Sequence, residues 1–413
     1  MNQKLEDLLQ LALQTSEETR ERTEELNVGF NVVSRTLELI VKYHGSLDVL
    51  EALNVQIEYL IAGYAILTVP DGLVERVAEL EEIEYVEKPK RFFYEVTDPV
   101  TDSCIRQLSG QDLSLTGRGV LVGVLDSGIN YRLPVFRHAD GSTRIRYLWD
   151  QTLVPSGELG EGEDGVRTDG IGRIVEEETG GEAIEEERGN NGTAGSEGIR
   201  NRESSGSTGE DGMSGENGGG RQTVGDTAGL IRKPPAGFRQ GVEFDAAQIN
   251  AALQAETQEQ QYMLLPTVDT GGHGTAVAGI AAGFSESEGG NNSFYERMQY
   301  YRGAAPEAEL LIVKLGLPDA ASFPRTTEIM RGVTWAVRKA QELQMPLAIN
   351  LSFGNSYGAH DGSSLLERFL DNASEIGRTV ICVGSGNDGA SAGHLSGRLG
   401  STGGESAGPG QSP

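Results

Sequence analysis

The sequence is short of cysteine, of aromatic residues, of positive charge and of long apolar runs. Only two cysteines occur, Cys104 and Cys382, far apart and in unlike surroundings. With no third or fourth ligand nearby, they exclude a disulfide framework and a zinc site. Cys382 lies inside the apolar run Val380-Ile381-Cys382-Val383 and is expected to be a small core residue. The 34 lysines and arginines are outnumbered by 62 acids, a formal net charge of −28. A surface of that sign repels phosphate, which excludes a nucleic-acid partner. No apolar stretch reaches the roughly 18 to 20 residues of a membrane helix, so no membrane partner is expected. The polar, acidic N-terminus lacks the charged, apolar and small-residue regions of a secretory signal, which points to an interior compartment. No metal ligand set and no cofactor is expected.

What is present suffices for two or three domains in 413 residues. In segment 1–26, Leu5, Leu8, Leu9, Ala12 and Leu13 recur at i+3 and i+4, as one amphipathic helix would place them, with Leu11 at the margin of the stripe. Segment 27–97 has three β-rich runs, Val32 to Tyr43, Val55 to Val69 and Tyr85 to Val96, around helical pieces at 47–53 and 72–80. The middle run is long enough for a hairpin bending at Gly63. The resulting β-α-ββ-α-β order is that of a small ferredoxin-like α+β unit.

From about residue 105 to 399 the pattern changes to α/β. Val120 to Leu125 is continuously apolar apart from Gly123, as a parallel strand buried on both faces should be. Leu310 to Leu315, Leu347 to Leu351 and Thr379 to Val383 repeat it. Between them, Ile329, Val333, Ala336, Val337 and Ala340 form one helical stripe, and Leu365, Leu366, Phe369, Leu370 and Ala373 another. Strands alternating with helices of this length predict a doubly wound, mainly parallel sheet. Segment 155–235 interrupts it with 21 of the 57 glycines, 18 acids, 8 basic residues and no aromatic residue. That composition buries too little apolar area to offset the entropy of ordering, and disorder is expected there and in the tail 400–413.

Three positions carry candidate chemistry. Asp126 ends the first buried strand and precedes Ser127-Gly128, at the carboxyl edge where open α/β sheets gather functional groups. Alone it also reads as a turn cap. His273 stands in Gly272-His273-Gly274-Thr275, with Ala276-Val277-Ala278-Gly279 after it, small residues that let a helix approach the sheet closely. Asn387 ends the run Val383-Gly384-Ser385-Gly386-Asn387 after a strand, where a side-chain amide can donate to a developing oxyanion.

Together, in the order Asp126, His273, Asn387, these motifs resemble those of the subtilases, serine endopeptidases of the S8 type. Ile349-Asn350-Leu351-Ser352-Phe353-Gly354 resembles the family's substrate-binding strand, and the 27–97 unit resembles its propeptide, an intramolecular chaperone. Tyr147 to Thr152 and Gly393 to Leu399 are similar to the spore-germination branch. The resemblance implies a subtilisin-like sheet and a protein or peptide substrate. It also implies that the chain's own propeptide is a partner. Asp126 would then orient His273, His273 would act as general base and acid, and Asn387 would hold the oxyanion. Ser352, Phe353 and Gly354 would align the peptide. A spore or intracellular setting follows from the same branch.

The resemblance breaks at the nucleophile. Only 26 residues follow Asn387, and Gly404-Glu405-Ser406-Ala407-Gly408-Pro409 imitates the Gly-Thr-Ser frame without residues enough for the helix that should follow it. The chain is therefore expected to be an inactive serine peptidase, truncated or frame-shifted after Leu399, with its sheet incomplete. The alternative expectation is a non-catalytic pseudoprotease, a scaffold that binds a peptide or a protease.

Overall fold

The computed structural model describes residues 2–94, 115–156, 232–286, 300–316, 324–355 and 358–386. The segment expected to be disordered lies outside these residues except at its two ends. There Ser156 N donates to Arg232 O at 2.8 Å, and Arg232 N to Ser156 Oγ at 3.3 Å. The tail 400–413, Cys104 and Asn387 also lie outside them.

The expected single N-terminal helix is three: α1 (Asp7–Gln14), α2 (Glu17–Glu21) and α3 (Glu24–Asn27). Ser16 breaks the run by leaving helical geometry, its hydroxyl accepting from Thr19 N to cap α2. The stripe itself does its work, since Leu5, Leu9 and Ala12 are buried while Leu11 is 53% exposed.

Next come β1 (Phe30–Asn31), β2 (Thr36–Tyr43), α4 (Asp48–Glu51), β3 (Gln56–Tyr59), β4 (Tyr64–Pro70), α5 (Val74–Glu79) and β5 (Ile83–Glu87). The order across the sheet is β5-β2-β4-β3, antiparallel throughout, the ferredoxin-like arrangement that the sequence predicts. Gly63 makes the β3–β4 bend at φ 72°. Strand alternation divides the sheet's faces. Leu37, Leu39 and Val41 pack with Leu9, Leu50, Val77 and Ile83, whereas Ile40, Tyr64 and Ile66 belong to a second core shared with the α/β region.

That region contains β6 (Phe93–Tyr94), β7 (Leu121–Asp126), β8 (Ile145–Asp150), β9 (Val242–Asp245), α6 (Ala246–Gln254), α7 (Gln258–Leu264) and α8 (His273–Ala282). It continues with β10 (Phe284–Glu286), β11 (Tyr300–Arg302), β12 (Glu309–Lys314), α9 (Thr326–Leu343), β13 (Leu347–Leu351), β14 (Phe353–Gly354), α10 (Leu365–Ser374) and β15 (Thr379–Val383). Six strands form one sheet in the order β15-β13-β7-β12-β8-β9, parallel except for β9 against β8. Helices cover both faces, so the sheet is doubly wound. The alternation of Ile145 to Trp149 and of Val242 to Phe244 was the available signal for β8 and β9, two strands that the apolar-run criterion passes over.

Period-2 geometry sorts β7 by face. Leu121 and Leu125 point to α9 and α10, whereas Val122 and Val124 point to α6 and α8. Asp126 therefore continues the α8 face. Cys382 departs from expectation. It is exposed and unpaired as a disulfide, because β15 is the sheet's edge among the described residues and leaves Val380 and Val383 60% and 56% exposed.

Candidate functional site

β7 is where the winding of the sheet reverses, with β12, β8 and β9 on one side and β13 and β15 on the other. Groups at the carboxyl end of such a strand face an open crevice. Asp126 sits there with its side chain 1% exposed. Its Oδ1 accepts from its neighbour's amide, Ser127 N, at 2.7 Å.

His273 opens α8 from the opposite side. Gly272 enters the helix at φ 72°, and Gly274 has no room for a side chain because a Cβ would lie 2.2 Å from the carbonyl oxygen of Gly128. This backbone contact brings the helix start onto β7. It places His273 Nδ1 2.7 Å from Asp126 Oδ1, with the imidazole 16% exposed. Two residues 147 positions apart thus form a hydrogen-bonded pair, whose carboxylate also accepts from the backbone amide of Ser127. Among the described residues, Asp126 Oδ2 has no hydrogen-bond partner, although it is buried.

The strand expected to align a peptide is already paired. Phe353 and Gly354 of β14 run antiparallel to Tyr94 and Phe93 of β6. The segment before β6 is gripped from the other side, Phe92 N donating to Pro324 O at 2.7 Å and Thr326 N to Lys90 O at 2.9 Å. Asn355 Nδ2 donates to Arg91 O at 2.9 Å. Phe92 is nearly buried, its ring edge-on to Phe353 with centroids 5.7 Å apart. Ser352 Oγ accepts from Asn350 Nδ2 at 2.8 Å.

Of the expected site residues, the structure brings Asp126 and His273 together and aligns Phe353 and Gly354 with an extended segment of the same chain. Asn387 lies outside the described residues, four positions beyond the end of β15. Two sets of residues escaped the sequence reading. One is Ser127 and Asp269, which surround the pair, the latter signalled only by its place four residues before His273. The other is a buried ion cluster between the N-terminal sheet and α9. Arg331 contacts Glu38 and Glu58, each at 2.6 Å, and Arg325 contacts Glu38 at 2.9 Å and Glu328 at 2.7 Å. Burial opposes ionisation of Glu38, but the guanidiniums of Arg325 and Arg331 outweigh it and hold its carboxyl down at about 2. Nothing in the sequence pairs acids of one unit with arginines nearly 300 positions away.

Among the described residues, no cluster of three or more His, Cys, Asp or Glu side chains is arranged to hold a metal ion. Among the same residues, no helix is long and apolar enough to cross a membrane.

Residues 3–90 match the Csp protease B prodomain. The chain is similar to the CspB protease of Clostridium perfringens, with 27% identity, coverage of 70% of this chain and 41% of that one, and a TM-score of 0.42. It is also similar to fervidolysin from Fervidobacterium pennivorans, a keratinolytic enzyme related to subtilisin. Identity there is 15%, coverage 86% of this chain and 40% of that one, and the TM-score 0.39. The matched part thus spans about two fifths of the length of either structure. The model of the subtilase family matches residues 117–410, more than half of the 413, and the chain belongs to that family.

Proposed function

We propose that Asp126 and His273 are the acid–base pair of a serine endopeptidase, and that the N-terminal unit acts as its propeptide. The 2.7 Å contact between His273 Nδ1 and Asp126 Oδ1 carries this reading. An Nδ1–H held by a buried carboxylate fixes the tautomer and leaves Nε2 as the basic nitrogen. His273 then takes the proton of an attacking serine hydroxyl and returns it to the departing amine, while Asp126 stabilises the imidazolium between the two steps. Asn387 would donate to the tetrahedral oxyanion. Ser352, Phe353 and Gly354 would hold the substrate as an added antiparallel strand, as Gly354 and Phe353 hold residues 93–94. The substrate class is an extended protein or peptide segment. A role in spore germination rests on the runs Tyr147 to Thr152 and Gly393 to Leu399 and on the Csp prodomain match.

The Gly-Thr-Ser frame of the family's nucleophile is not among these 413 residues. A second reading, a peptide- or protease-binding scaffold, is supported by the pairing of β6 with β14, because strand addition needs no nucleophile. An active-site-directed fluorophosphonate separates the two. The peptidase predicts a labelled serine, in this chain or in any longer chain read from the same locus, with labelling lost in His273→Ala. No labelling in either, with retained binding of a peptide carrying the Phe92–Tyr94 sequence, leaves the scaffold.

A further inference from the structure

We propose that Asp269 is a positioning residue that sets the geometry of the Asp126–His273 pair; this rests on the acid–base role assigned to that pair above. Asp269 precedes His273 by four residues, in the loop that leads into α8. Its carboxylate accepts four hydrogen bonds. Oδ1 takes the Ser127 hydroxyl at 2.8 Å and the Gly272 amide at 3.0 Å. Oδ2 takes the Thr275 amide at 2.8 Å and the Thr275 hydroxyl at 2.5 Å. Every donor flanks the pair: Ser127 follows Asp126, Gly272 precedes His273, and Thr275 lies in the first turn of α8. The circuit closes when Gly274 N donates to Ser127 Oγ at 2.9 Å.

A helix start ordinarily has its free amides satisfied by the side chain at its N-cap. Gly272 has no side chain to offer, and Ser127 and Asp269 take the amides of Gly274 and Thr275 instead. The cap is thus supplied by Ser127, just past β7, and by the approach loop, which links the strand carrying Asp126 to the helix carrying His273. Neither element can shift without stretching bonds to Asp269. Hydrogen bonds weaken steeply once alignment is lost, so a tie of this kind decides whether the imidazole stays on the carboxylate.

The loop is itself braced. Thr267 Oγ1 donates to the buried Asp150 Oδ2 at 2.6 Å, and Lys314 Nζ donates to Val268 O at 2.9 Å. Asp150 belongs to the run Tyr147 to Thr152, which the chemistry of the pair does not otherwise use. Asp269 is therefore fixed from both sides, by the loop behind it and by the four donors in front.

Proton NMR of the whole chain tests this. The hydrogen-bonded Nδ1 proton of His273 gives a low-field resonance, assigned by its absence from His273→Ala. Asp269→Ala and Asp269→Asn are expected to abolish it or move it upfield. Asp245→Ala removes the side-chain cap of α6, which has no bond to the pair, and is expected to lower the melting temperature with the resonance unchanged. An unchanged resonance in Asp269→Ala, with melting lowered as in Asp245→Ala, makes Asp269 an ordinary helix cap and overturns the proposal. If Asp269→Ala does not fold, Ser127→Ala breaks the same tie from the β7 side and is decided by the same two results. Failure of the acid–base reading looks different: the wild-type chain shows no low-field proton, or His273→Ala leaves it in place, and this proposal falls with it.

Discussion

Two buried polar clusters of this chain are built on opposite principles. Between the N-terminal sheet and α9, Glu38, Glu58, Glu328, Arg325 and Arg331 are each within 2.6 to 3.4 Å of an opposite charge. At the carboxyl end of β7, Asp126 is equally buried, yet one of its oxygens has no partner among the described residues and the other faces an imidazole. In the first cluster every charge has an opposite partner, three carboxylates around two guanidiniums, and the cluster holds two parts of the chain together. The second leaves one buried carboxylate oxygen unmatched and turns the other toward an imidazole. Paired charges serve assembly, whereas the incompletely partnered carboxylate is the one to which the proposed acid–base role is assigned.

The contrast breaks most violently at Arg331. Arg331→Ala leaves Glu38, Glu58 and Glu328 buried without their shared cation, at an expected cost of about 3–5 kcal/mol, read as a fall in the urea midpoint. Gly274→Ala is next. Its Cβ would meet the Gly128 carbonyl oxygen at 2.2 Å, and the forced shift of α8 should cost about 1–3 kcal/mol. Thermal melting reads the cost, and loss of the low-field proton reads the separation of His273 from Asp126.

Acid titration sharpens the assembly side. Glu38 has a folded value of about 2 against an ordinary 4.5, so the folded state holds its proton less tightly than the unfolded one. Its contribution to stability is complete above about 4.5 and is lost as the pH falls from there toward 2. Urea midpoints measured across that window should drop in the wild type and drop less steeply in Glu38→Gln. The smallest expected effect on stability is at the other cluster. Asp126→Asn should leave the unfolding free energy within about 1 kcal/mol of wild type, because it removes a buried charge that is not fully matched. The low-field proton of His273 should nonetheless disappear. Destabilisation as large as that of Arg331→Ala would erase the distinction between the two clusters.

Helix α9 shows how far the sequence could be read. Its stripe of Ile329, Val333, Ala336, Val337 and Ala340 is buried as the spacing predicts, because 3.6-residue periodicity is a local property. The opposite face, with the polar Thr327, Glu328, Arg331 and Thr334, carries no apolar signal and is buried too. The ferredoxin-like sheet lies over it, turning Glu38, Ile40 and Glu58 toward the helix. Cys382 errs in the other direction. An apolar run looks like core wherever it falls, and only the sheet order shows that β15 stands at an edge among the described residues.

By itself, the sequence determined the strand that ends in Asp126, the small-residue helix that begins at His273, and the β-α-ββ-α-β order of the N-terminal unit. Each depends on neighbours within a few residues, through strand alternation, glycine geometry or turn chemistry. Only the tertiary structure decided that Asp126 and His273 meet, that residues 93–94 lie on β14, and that Arg331 lies between Glu38 and Glu58. Those contacts join residues 147 to 293 positions apart in the hydrogen-bonded cases, and no local pattern specifies which distant surface will cover a given face.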